Sequence, residues 1–230
     1  MYELYIGNKN YSSWSLRPWI LLRQLNIPFT EHLRIFATDS DSSFNSNWDK
    51  FRQFSPSGKV PCLHADGTTV WDSLAIAEFV AERHTAVWPK DSQARTWARC
   101  ASAEMHSGFS ALREQCSMNC ALEIRLHEIS DALQKDIRRL EELWCEGLDK
   151  FGGPYLAGSE FTAVDAFFCP VAIRVQNYGL QLGDRAAAYA QRLLALPAMR
   201  EWYAAGLLEP IEPGHEEDCL KYGAVIKDRR

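Results

Sequence analysis

Three serine hydroxyls fall within four residues of the segment Tyr11 to Trp19, YSSWSLRPW. The segment stands after a short strand-like alternation and before an apolar-periodic stretch, with Arg17 and Pro18 in the turn that opens it. A hydroxyl beside the unpaired N–H groups of a helix start can help to hold an anionic sulfur or phosphate. Ser15 reads as the helix cap, which would put Pro18 at the third helical position, where no internal N–H bond is lost. Capping by all three serines, with no further role, is the competing reading.

A second place where a helix start meets polar side chains is Asp72-Ser73, ahead of the periodic apolar residues Leu74, Ile76, Ala77 and Val80. Taken by themselves these residues read as a simple Asp/Ser cap. The seven cysteines, Cys62, Cys100, Cys116, Cys120, Cys145, Cys169 and Cys219, show no CxxC or Cys/His spacing, so no metal site is expected. Cys116 and Cys120 are spaced for one helical face. Cys62 reads as buried on a strand.

The elements that must position these groups follow from periodicity. Tyr2 to Ile6 predicts a strand, Leu16 to Leu25 a helix, and Ile27 to Ile35 a second strand entered through Pro28. Val60 to His64 and Thr69 to Trp71 flank Asp66-Gly67, a hairpin signal, and Ser73 to Arg83 predicts another helix. This order, βαβ then ββα, is that of a thioredoxin-like domain, here residues 1–84. Strand signals fade after Ser92, and residues 85–230 read as an all-helical domain. Leu133, Ile137, Leu140, Trp144 and Leu148 form one buried stripe ended by Gly152-Gly153-Pro154. Thr162 and Asp165 predict a capping box opening a helix through about Asn177, kinked at Pro170. The tail after Pro210 is expected to wrap the surface.

The 230-residue chain has a formal charge of −5 and a pI near 5.7, with no basic footprint for nucleic acid or acidic lipid. The start MYELYIGN is too polar for a signal peptide, and no apolar run approaches about 18 residues, so neither membrane nor export is expected. A reducing cytoplasm is the default compartment.

Four motifs in order, YSSWSLRPW, then SPSGKVPCL at 55 to 63, WDSLAIAEFVAER at 71 to 83 and FTAVDAFFCP at 161 to 170, resemble the cytosolic glutathione transferase superfamily. The helix start is similar to the zeta class, whose SSCxWRVR aligns without gaps to SSWSLRPW. The resemblance implies an α/β plus all-α protein that binds glutathione, needs no metal and forms a homodimer. It places Ser12 or Ser13 at the glutathione sulfur. Ser12 matches the first zeta serine; Ser13 stands four residues before Arg17, as in theta- and delta-like sequences, and is the preferred of the two.

By the same resemblance Ser15 belongs to the glutathione-binding turn, Val60-Pro61 is a cis step pairing with the peptide backbone, and Lys59 faces the glycine carboxylate. Asp72 and Ser73 grip the γ-glutamyl end. Free thiols titrate near about 8.5, so a mostly ionised thiol at neutral pH asks for a shift of about 2 units, roughly 2.7 kcal/mol. A helix start supplies about 0.3–1 kcal/mol and a hydroxyl donating to charged sulfur about 1.5–3 kcal/mol. Their sum suffices without a cation.

The second substrate, a small electrophile, is expected between the domains among Trp14, Met105, His106, Phe109, Arg113, Asn119, Arg174 and Tyr178. The implied activity is conjugation of glutathione to that electrophile. Maleylacetoacetate isomerase chemistry is an alternative weakened by two departures from the zeta pattern: Trp14 replaces its cysteine, and Asn177 its arginine, with Arg174 one turn earlier. A non-catalytic binding or assembly module and thiol-disulfide exchange through Cys62 are further alternatives.

Overall fold

The computed structural model describes residues 1–36 and 44–230, with the side chains of 44–46 left aside. The first half is built on β1 (Tyr2–Ile6), α1 (Ser13–Gln24), β2 (Phe29–Leu33), α2 (Phe44–Arg52), β3 (Cys62–Ala65), β4 (Thr68–Trp71) and α3 (Ser73–Ala81). Sheet order is β2-β1-β3-β4, with β1 parallel to β2 and antiparallel to β3, and β3 antiparallel to β4. This is the predicted thioredoxin-like arrangement. Asp66 and Gly67, at φ 53° and 79°, close the β3–β4 hairpin in the left-handed conformation that Asp-Gly favours. α2 lies where the sequence pattern gives no element.

The second half contains α4 (Ser92–Ser107), α5 (Ser110–Gln115), β5 (Leu122–Leu126), α6 (Asp131–Phe151), α7 (Ala163–Asn177), α8 (Asp184–Leu194), α9 (Pro197–Leu207), α10 (Pro213–Leu220) and β6 (Gly223–Asp228). The predicted stripe of α6 is buried throughout, and Gly152 ends the helix at φ 65°. Almost every residue of α7 is buried, because α1, α4 and α8 surround it. Pro170 interrupts neither the helix nor its burial. Two halves therefore share one wall, α1 against α7.

Three expectations for the second half are corrected. β5 pairs antiparallel with β6 at the far end of the chain, so this half is not purely helical. Cys116 closes α5 and Cys120 lies in the segment before β5, so the two do not share a helical face. The tail folds as α10 and β6, burying Cys219 and Gly223, and does more than cover a surface.

The capping box of α7 is also a junction. Asp165 accepts from Thr162 N (2.9 Å) with one oxygen, and from Leu156 N (3.0 Å) and Tyr189 OH (2.8 Å) with the other. All four residues are buried. Truncation would leave these three buried donors, and the Thr162 hydroxyl that also donates at 3.4 Å, without this partner, at about 1–3 kcal/mol for each one not re-solvated. Asp165→Ala is expected to lower unfolding free energy by more than about 3 kcal/mol in denaturant titration; a loss below about 1 kcal/mol would show that the junction is dispensable.

Candidate active site

The turn between β1 and α1 allocates its hydroxyls unequally. Tyr11 N and Ser12 N both donate to the Asn8 carbonyl, at 3.2 and 2.8 Å, winding the chain toward the helix. Ser12, not Ser15, is the cap: its Oγ accepts from Ser15 N at 3.3 Å and donates to Ser15 Oγ at 2.7 Å. Ser15 Oγ in turn accepts from Gly7 N at 3.1 Å, stitching the end of β1 to the first helical turn. Because α1 begins at Ser13, Pro18 sits at its sixth position rather than its third. The missing N–H leaves the Trp14 carbonyl without its intrahelical donor.

Ser13 is different. It is the first helical residue, and its hydroxyl bonds to no described residue. It lines a cavity of about 550 Å³ together with Tyr11, Ser12, Trp14, Phe36, Trp48, Phe51, Lys59, Val60 and His215.

An adjoining cavity of about 490 Å³ shares Trp14, Lys59 and Val60 with the first and adds Ser57, Pro61, Trp71, Asp72 and Ser73. The Val60–Pro61 peptide is cis. Asp72 caps α3, its Oδ1 accepting from Leu74 N at 2.8 Å, and sits at φ 76°, a conformation that costs a non-glycine residue roughly 1–3 kcal/mol. Ser73 Oγ accepts from Arg17 Nη1 at 3.5 Å. The structure therefore brings together Ser12, Ser13, Trp14, Lys59, Val60, Pro61, Asp72 and Ser73 around two contiguous cavities. Ser15 stays behind them as part of the turn.

Behind the Asp72-Ser73 cavity lies a group that the serine motif half concealed. Arg17 is fully buried, its guanidinium 4.2 Å from the centre of the Trp14 ring and 4.9 Å from that of Phe167, and its Nε has no hydrogen-bond partner among the described residues. Burial, aided by the positive charges of Arg174 and Arg113, brings its pKa down to about 9. Among the described residues, the negative charge of Asp72 offsets this in part.

The expected second-substrate residues divide. Trp14 is a wall of both cavities, and His106 meets it edge-on at 5.3 Å while its Nε2 lies 3.5 Å from Asp72. Arg113 also stacks on Trp14, at 5.3 Å, and donates to the His106 carbonyl. Apart from Trp14, none of the expected residues lines either cavity, His106 and Arg113 included. Met105 and Phe109 are buried in helix packing. Asn119 accepts from Leu122 N and, through its carbonyl, from Asn177 Nδ2; Tyr178 OH donates to the Ser117 carbonyl. Arg174 donates to the carbonyls of Cys116 (2.8 Å) and Pro170 (3.2 Å). Their polar atoms satisfy the buried backbone around α7, a use that residue type alone does not distinguish from substrate binding.

The aromatic wall of Phe36, Trp48 and Phe51 and the α10 residue His215 are the cavity groups that sequence reasoning missed. They come from segments too far apart for any local pattern to join them. A cavity of about 680 Å³ bounded by Leu22, Asn26, Pro28 and Pro197 contains none of the residues above.

Residues 11–83 match the amino-terminal domain of glutathione S-transferases and residues 101–205 match the carboxyl-terminal domain. The chain belongs to the glutathione S-transferase superfamily. It is 24% identical over 182 residues to maleylacetoacetate isomerase of Rattus norvegicus, spanning 78% of this chain and 80% of that one. Among solved structures it resembles a glutathione transferase homologue from Burkholderia GL BGR1 with bound glutathione, with TM-score 0.63, 22% identity and coverage of 89% and 97%. An unclassified glutathione S-transferase of Bombyx mori gives TM-score 0.68, 17% identity and coverage of 96% and 98%.

Within this superfamily frame, a cysteine mechanism has little support from Cys62. Its thiol is buried, donates to the Phe54 carbonyl at 3.4 Å, and is pushed up by that burial to about 11. A thiol in that state holds its proton throughout the neutral range. Cys62→Ser is expected to keep glutathione-dependent turnover within about twofold, and native Cys62 to resist iodoacetamide at about pH 8. Loss of turnover, or rapid labelling of Cys62 in the folded protein, would contradict this.

Proposed function

We propose that this protein is a serine-type glutathione transferase, in which the Ser13 hydroxyl, at the positive end of α1, holds the glutathione sulfur as a thiolate. The observation that carries the reading is the uncommitted hydroxyl of Ser13 at a helix start, on a residue that lines a cavity adjoining the Asp72-Ser73 cavity. In this reading the γ-glutamyl carboxylate binds Ser73 and the amides that open α3, with the buried charge of Arg17 behind it. The γ-glutamyl amine faces Asp72, the peptide pairs with Val60, and Lys59 faces the glycine carboxylate.

The chemistry needs no added cation. Ionisation releases the thiol proton to water; the sulfur then forms a bond to an electrophilic carbon, and a leaving group such as halide departs with the bonding pair. Preorganised donors at the sulfur act here as an oxyanion hole does for oxygen. Phe36, Trp48 and Phe51 supply an apolar wall for a flat electrophile.

Isomerisation of a carboxylate-bearing enone is the second reading, favoured by the likeness to maleylacetoacetate isomerase. Against it, Arg174 is bonded to backbone carbonyls and lines neither cavity. Lys59 is the cation common to both cavities and would have to replace it.

The two serines separate in one experiment. With glutathione bound, Ser13→Ala is expected to raise the midpoint of the ultraviolet thiolate band by at least about 1 pH unit and to slow transfer to a chloronitroaromatic by about 10- to 150-fold, the value of a hydrogen bond to a charged group. Ser12→Ala is expected to keep the band while losing about 1 kcal/mol of stability with the cap. A wild type that binds glutathione without ionising it, or loss of the band in Ser12→Ala alone, would overturn the assignment.

A further inference from the structure

The cavity beside Ser13 is closed on one side by α10, which carries an acid-base pair that neither glutathione binding nor thiol ionisation uses. Glu212 Oε2 lies 2.5 Å from His215 Nδ1 and also accepts from His215 N at 2.7 Å. The imidazole is stacked between Phe36, at 5.0 Å and 8° between planes, and Tyr11, at 5.1 Å and 27°. Tyr11 OH accepts from Glu212 N (3.3 Å) and donates to Glu216 (3.1 Å), and Arg230 clamps Glu216 at 2.7 Å. The ring is thus fixed in position and in plane, although part of it remains open to the cavity.

A capping role for Glu212 would require only the backbone bond. The additional bond to Nδ1 sets the ring's orientation, leaves Nε2 as the nitrogen that can exchange a proton with a ligand, and places a carboxylate beside the ring when it holds both protons. Burial pushes the Glu212 carboxyl up, but its bonds from the His215 ring and backbone outweigh this and hold it below the usual glutamate value. Among the described residues the other charged or titratable groups near the ring are Tyr11, Glu216 with Arg230 bound to it, and Asp218, and Lys59 lines the same cavity.

We infer that His215, oriented by Glu212, is a catalytic acid for electrophiles that carry a conjugated carbonyl, such as α,β-unsaturated ketones. The inference rests on the glutathione transferase reading above. In the step it assigns, the glutathione sulfur forms a bond to the β-carbon and the alkene pair moves toward the carbonyl. The oxygen takes the proton from His215 Nε2, and the enol then tautomerises to the saturated adduct. Water returns a proton to the imidazole, equal to that released when the thiol ionised, so the cycle closes. With both faces of the imidazole covered by Phe36 and Tyr11, the enone would meet the open edge of the ring, beside Trp48 in the cavity wall. Halide displacement from a chloronitroaromatic places no proton on the substrate and has no use for the pair.

The test compares wild type, His215→Gln and Glu212→Gln with glutathione and two electrophiles, an aryl enone and a chloronitroaromatic, alongside glutathione titration and thermal melts. For His215→Gln the ratio of kcat/KM for the enone to that for the chloronitroaromatic is expected to fall about 100-fold, the usual scale of general acid catalysis. Glu212→Gln, which still offers an oxygen to the backbone of α10, is expected to lower the ratio about tenfold. An unchanged ratio in both variants overturns the assignment, whether the two rates stay as they are or fall together as they would if the ring only shaped the cavity. Those results leave the transferase reading standing, provided wild type turns over both compounds. A wild type that neither binds glutathione nor turns over either compound overturns both.

Discussion

A buried polar loop, residues 8–12, must have every backbone donor paired, and the rest of the molecule is arranged around that requirement. Lys9 N and Asn10 N donate to the two oxygens of Glu209, at 2.8 and 3.0 Å, from 200 and 199 residues away in sequence. Asn10 Oδ1 accepts from Cys120 N and Asn8 Oδ1 from Phe36 N, both at 2.7 Å. Lys9 forms a largely buried 2.7 Å ion pair with Glu31. The backbone of α9 comes close at Gly206, where a Cβ would stand 3.1 Å from Asn10 N. A loop from one half is therefore completed by groups from the other, which fixes where α1 begins relative to α7 and α10.

The chemistry follows from how the turn then distributes its hydroxyls. Ser12 and Ser15 satisfy the amides of Ser15 and Gly7 and each other, so their oxygens belong to the fold. Ser13, whose hydroxyl bonds to no described residue, is left lining the cavity. Similar division holds at α3, where Asp72 caps the helix with one oxygen and leaves the other toward His106. In both places some polar atoms are taken up by the fold while an adjacent one is left outside the helix cap.

Local patterns carried much of this into the sequence. The Asp66-Gly67 hairpin, the α6 stripe and the Thr162–Asp165 box each depend on residues within a few positions of one another, and each formed where expected. The cap of α1 did not, because Ser12 and Ser15 are chemically equivalent in a local reading and only the distant need of Gly7 N separates them. The β5–β6 pairing was hidden for the same reason, since it joins Leu122 to Asp228 across most of the second half. The wall made by Phe36, Trp48 and His215 likewise exists only after three separate segments converge. Asn119, Arg174 and Tyr178 show the converse: side chains with the right chemistry for a ligand, held away from the cavities by the buried backbone around α7.

The most direct measurement is a crystal structure with glutathione bound. The account predicts the peptide beside Val60, its γ-glutamyl end at Asp72 and Ser73, and its sulfur within hydrogen-bond distance of Ser13 Oγ. A sulfur turned toward Trp71, or held by Ser12 or Cys62 instead, would contradict it.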